Sequence, residues 1–76
     1  MTNKQPLNMW VVTANPRDYP GLYVARLCEV TAAGIVHTDT VHTADSLQAI
    51  RDAIPQGLHC IPRDPSDPAV VVETWF

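Results

Sequence analysis

Read for the spacing of its apolar residues, the chain changes period once. In LYVARLCEV (22–30), Leu22, Val24, Arg26, Cys28 and Val30 alternate with Tyr23, Ala25, Leu27 and Glu29. A two-residue period predicts a strand. MWVVT (9–13) is β-branched and aromatic and predicts a shorter one. IVHTDTVHT (35–43) predicts a third, because its threonines and valines lose side-chain freedom in a helix. Between the second and third, TAAG (31–34) has the length of a hairpin turn, with Gly34 available for positive φ. These three segments predict an antiparallel meander.

The period shifts in ADSLQAIRDAIP (44–55). Leu47, Ile50 and Ile54 recur at i, i+3 and i+7, with Ala49 and Ala53 as small neighbours and Gln48, Arg51 and Asp52 outward. That is the stripe of an amphipathic helix. Asp45 reads as its N-cap, with Gln48 as the capping-box partner. Pro55 reads as the stop, and Gly57 as the residue that relaxes the exit. LHCI (58–61) predicts a short fourth strand and AVVVETWF (69–76) a fifth. The expected fold class is α+β, a small antiparallel sheet in the order β-β-β-α-(β)-β with one helix packed on one face. Residues 9–76 read as a single domain behind a polar, flexible N-terminal tail at 1–8.

One short helix shields one sheet face, yet two strands are apolar on both. Val70, Val72, Thr74 and Phe76 alternate with Val71, Glu73 and Trp75, and Trp10 and Val12 alternate with Met9 and Val11. Apolar residues on both faces call for a second cover, and aromatic residues are enriched where one protein covers another. Trp10, Val71, Trp75 and Phe76 are therefore candidate interface residues, with Trp75 as the anchor. The expected partner is a second copy of the chain, another protein, or both. The alternative is that Trp75 and Phe76 wrap the sheet edge and close the chain's own core.

Turn chemistry is densest in NPRDYPG (15–21), and its Pro-Arg-Asp returns at 62–64 within IPRDPSDP. Proline and aspartate serve turns in general, and the flanking strands match only loosely, so the two copies read as independent loops. Arg17 and Tyr19 project from the first loop and join the interface candidates. Arg17 suits two-pronged capture of a carboxylate or phosphate; the plainer reading packs Tyr19 and Pro20 on the sheet and leaves Arg17 in solvent.

Composition narrows the classes. Five basic residues against eight acidic ones give a net charge of −3 over 76 residues. The bases are scattered, whereas a nucleic-acid footprint needs them clustered, so nucleic acid is not an expected partner. No apolar run reaches the length of a membrane span or forms a signal core. Cys28 and Cys60 do not form a Cys-x-x-Cys unit. They read as free thiols of a cytoplasmic protein, although neighbouring strands would let them pair.

The run with most chemical suggestion is HTDTVH (37–42). In a regular strand His37, Asp39 and Val41 share a face, so His37 and Asp39 stand together as metal ligands or as a base with its orienting carboxylate. A metal site needs a third ligand, for which His59, Cys60 or a residue from a second subunit is the candidate. The same run also reads as a solvated polar strand face. No glycine-rich phosphate loop or nucleophile elbow is present, and no cofactor is implied.

NPRDYPGLYVAR, ADSLQAIRDAIPQGL and PRDPSDPAVVVETWF together resemble a set of short bacterial and phage proteins of uncharacterised activity. In these a P-[RK]-D-[YF]-P-G loop precedes a strand and an [IV]-V-E-[TV]-W strand closes the chain. The resemblance spans nearly all of 9–76 and implies a bacterial or mobile-element origin and a cytoplasmic location. It assigns no functional residue. The leading expectation is a non-enzymatic protein-binding module, such as a phage- or prophage-encoded accessory or inhibitory protein. The alternative is a small metal-dependent or His/Asp hydrolase using His37 and Asp39.

Overall fold

The computed structural model describes residues 7–66 and 69–76. Five strands and one helix follow in the order β1 (Leu7–Ala14), β2 (Tyr23–Thr31), β3 (Gly34–Ala44), α1 (Leu47–Ala53), β4 (Cys60–Pro62) and β5 (Val71–Trp75). They form one sheet ordered β3-β2-β1-β5-β4, and all four pairings are antiparallel. This is the α+β fold that the change of period predicts. β1 starts earlier than its apolar run: Leu7 and Asn8 pair with Val30 and Glu29, so they belong to the strand and not to a tail. Residues 1–6 of the expected tail lie outside the described residues.

Cross-strand partners share a face, so the register sorts the sheet. Trp10 and Val12 stand with Leu27 and Ala25, with His42 and Ala44 of β3, and with Trp75 and Glu73 of β5. The helix lies on this face. Ile50 and Ile54 close a core with Trp10, Val12 and Ala25, against which Tyr23, Leu27, Leu47, Leu58, Val72 and Trp75 pack.

The helix starts one residue later than the capping-box pattern suggests. Ser46, extended at φ −142° and ψ 156°, is the N-cap, and its Oγ accepts from Ala49 N at 3.1 Å. Asp45 is thus not the cap. The third helical position falls on Ala49, which has no side-chain acceptor, so no capping box forms. Gln48 instead donates to Asp52 Oδ1 at 3.1 Å, one turn ahead. Ile54 ends the helix in an extended conformation (φ −82°, ψ 141°), as a residue preceding proline must. Pro55 is therefore the stop.

Two irregularities break the strict alternation. Between Arg26 and Cys28 of β2, the partners on β3 jump from Val41 to His37, so Thr38, Asp39 and Thr40 oppose Leu27 alone. Thr38 Oγ1 donates to Leu27 O at 2.8 Å and accepts from Thr40 N at 3.2 Å, tying down the bulge. On β5 the register shifts so that Glu73 opposes Val12 while Val71 opposes Thr13. Val71 therefore leaves the face of Glu73 and Trp75, and Val72, between them, packs on the core.

The face away from the helix carries Leu7, Met9, Val11 and Thr13 of β1 with Val30, Cys28, Arg26 and Val24 of β2. It is covered in part by the 15–22 loop. Asn15 takes a left-handed φ of 52°; its Oδ1 accepts from Gly21 N at 2.7 Å, and its own N–H donates to Leu22 O at 2.8 Å. The loop folds back so that Asp18 pairs with Arg26 and the Arg26 guanidinium sits 5.7 Å from the Tyr19 ring centroid. In the second Pro-Arg-Asp, Asp64 Oδ1 instead accepts from Ser66 N and Oγ at 2.8 and 2.7 Å, a local turn. The two aspartates do different work, and the copies are separate loops.

Candidate functional site

The His37–Asp39 pairing does not assemble. His37 keeps the face of Val41 because both remain opposite Cys28 and Arg26, but Asp39 falls in the exposed bulge between them. The neighbour His37 acquires is Cys28, whose Sγ lies 3.4 Å from Nδ1. His59 and Cys60 cannot complete a ligand set with them. β3 and β4 are opposite edges of the sheet, four strand spacings or roughly 19 Å apart. No group of three or more His, Cys, Asp or Glu suited to a metal occurs among the described residues.

Both thiols are free, Cys28 buried and Cys60 exposed. Cys28 lies on β2 facing away from the helix, whereas Cys60 stands opposite Trp75 on the helix face three strands away. That placement forbids a bridge between them. Burial pushes the Cys28 thiol above its ordinary value, against a smaller opposing effect of Arg26. Desolvation and then the Glu73 charge push Cys60 up as well. Both therefore stay protonated at neutral pH, the wrong state for a nucleophile.

The aromatic candidates divide between the interior and the surface. Trp10 is buried and stacks on His42 with ring centroids 5.3 Å apart, so it is used inside the chain. Trp75 is half-buried against the same core. Tyr19 is half-buried beneath Arg26, while Arg17 is exposed. Phe76 is 37% exposed and exchanges two backbone hydrogen bonds with His59, at 2.8 and 3.0 Å. Val71 is half-buried on the face away from the helix.

Two features remain that have the makings of a site. The first is the open sheet face. Leu7 is 53% exposed, Ile35 57% and Ile61 46%. All three fall on this face: Leu7 and Ile35 both flank Val30, and Ile61 stands opposite Thr74, the partner of Val11. Residues 32–37 at the tip of the β2–β3 hairpin are all exposed. The radius of gyration is 12.9 Å, against about 11.4 Å for a compact domain of this length.

The second is a buried carboxylate on the helix face, which sequence reading passed over as one polar residue in an apolar strand. Glu73 is 4% exposed. Arg51 Nε donates to its Oε2 at 3.0 Å and Nη2 to its Oε1 at 2.7 Å; Trp75 Nε1 donates to Oε2 at 2.5 Å. The Arg51 hydrogen bonds hold the carboxyl below its usual range against the opposing effect of burial, with Trp75 assisting. The spacing signal was available: Arg51 lies on the helix flank one position from Ile50, where its side chain can reach the sheet. Beside this triad lies a cavity of about 260 Å³ between the helix C-terminus and β5, lined by Arg51, Asp52, Ile54, Pro55, Leu58 and Trp75 among others.

No helix among the described residues is long and apolar enough to cross a membrane. Comparisons with protein-family models, with curated proteins and with solved structures each find no match.

Proposed function

We propose that this chain is a non-enzymatic binding module that works by protein contact, and that the open sheet face is its contact surface, joined first by a second copy of the chain. The observation that carries the reading is the exposure of Leu7, Ile35 and Ile61 on the one face that no helix covers. Scattered single apolar residues are ordinary on a surface, but Leu7 and Ile35 stand together at Val30, and Ile61 extends the exposed apolar character to the opposite edge strand of the same face.

Charge opposes a second copy least there. Each chain carries −3 overall, so two chains repel unless they meet where charge is scarce. On this face Arg26 already pairs with Asp18 within the chain. A two-fold arrangement then sets this face against its own copy. The protonated, unpaired thiols fit a reducing cytoplasmic setting. Trp75, seated in its own core, serves the fold in this arrangement, and Ile35 takes the anchoring position.

Sedimentation at tens of micromolar tests this. The reading expects about twice the 8.4 kDa chain mass and a return to one chain for Ile35→Lys, with the thermal transition of that variant largely retained. A single-chain mass at every concentration tested rejects self-association. Failure of Ile35→Lys to alter the mass of a dimer moves the interface elsewhere.

A further inference from the structure

The Arg51–Glu73–Trp75 triad does more than its position in the core requires. An ion pair whose arginine is well exposed to solvent contributes little net stability. Here the carboxylate spends all its visible hydrogen bonding on fixing two side chains, a guanidinium and an indole. Both line the same cavity. Arg51 engages Glu73 through its Nε/Nη2 edge. Its Nη1/Nη2 edge, the one that grips carboxylates end-on, has Nη1 without a hydrogen-bond partner among the described residues. The Arg51 side chain is 40% exposed, so that edge is within reach of solvent.

We propose that the cavity is a binding site for a small carboxylic acid with an apolar body, its carboxylate held by the outer edge of Arg51. Ile54, Pro55, Leu58 and the Trp75 ring supply the apolar wall for that body. A guanidinium locked in place by a buried carboxylate loses less rotamer freedom when it captures a ligand, and such preorganisation favours binding. The cavity volume suits a ligand of about ten non-hydrogen atoms, near the lower limit of small-molecule pockets. Asp52 on the rim is exposed and occupied in part by Gln48. Its charge disfavours a plain acid modestly and favours one that also carries an ammonium group. The shared chemistry is the carboxylate with its apolar body; a free acid and an amino acid are its two sources.

The test uses the full chain, with phenylacetate, phenylalanine and the neutral phenylacetamide as probes. Amide NMR follows the Trp75 Nε1–H and Arg51 Nε–H signals. Saturable shifts with one or both acids, and binding at least about tenfold weaker for the amide, are the expected result. A tighter response to phenylalanine than to phenylacetate names the amino acid as the source, and the reverse order names the free acid. Equal responses to acid and amide overturn the proposal, as does silence at both signals with both acids up to about 10 mM, a generous limit for a fragment of this size. Arg51→Lys keeps the charge but lacks the second edge, and should lose the acid response. The acid–amide comparison is made on the unaltered chain, so it decides the matter whether or not that variant folds.

Discussion

Ile50→Ala probes the helix–sheet core directly. Ile50 is fully buried at 0% exposure and belongs to the cluster with Trp10, Val12, Ala25 and Ile54. The substitution removes three carbon atoms. At ~0.8 kcal/mol per buried methylene, the lost transfer energy is about 2.4 kcal/mol. The hole left behind adds to that, within the roughly 2–5 kcal/mol seen for such truncations. Alanine's better helix propensity returns at most about 0.5 kcal/mol. The expected loss is therefore about 3 kcal/mol. A domain of this length has a total of only about 4–11 kcal/mol at ordinary stability per residue. The loss corresponds to a fall in melting temperature of roughly 12–24 °C at about 4–8 °C per kcal/mol. Urea unfolding followed by tryptophan fluorescence measures it, with an unchanged m-value required for the comparison. A loss below about 1 kcal/mol would show that the helix is not packed as described, since no full truncation of a buried isoleucine is that mild.

At the helix start, Ser46→Ala should cost about 1 kcal/mol through the lost hydrogen bond to Ala49 N, while Asp45→Ala should stay within about 0.5 kcal/mol; equal effects in urea melts would return the cap to Asp45. Acid should weaken the fold through Glu73. Its carboxyl is held below the ordinary 4.5 in the folded chain, so its stabilising contribution is present above that value and is lost as pH falls through the lower folded one. Urea midpoints from pH 7 down to 3 should show this slope, and Glu73→Gln should flatten it, leaving the share from Asp64, which is also held low. An unchanged slope in that variant would place the acid sensitivity elsewhere.

The pattern of periods was enough to reach the strands, the helix and their layering, because a half-buried sheet and a one-sided helix both write their exposure directly into residue spacing. The stop at Pro55 was legible for the same kind of local reason: proline restricts Ile54 whatever the fold. What escaped was set by pairing between distant segments. Nothing in HTDTVH announces that Thr38 bonds the Leu27 carbonyl and holds Asp39 out in a bulge, since that depends on β2. The side change at Val71 likewise depends on how β5 meets Thr13. Glu73 looked like one polar step in an apolar strand until the helix brought Arg51 across to it. The choice between Ser46 and Asp45 was a matter of one residue, and both are good caps.

The central claim is that the sheet face away from the helix is the contact surface. Attenuation of methyl NMR signals by a soluble paramagnetic agent, at low and high protein concentration, tests it most directly. Val36 is the internal reference, being 49% exposed but paired with Glu29 on the helix face. At high concentration the methyls of Leu7, Ile35 and Ile61 should become shielded while those of Val36 remain as strongly attenuated as before. Attenuation of all four that does not change with concentration, or shielding of Val36 alone, would contradict the account.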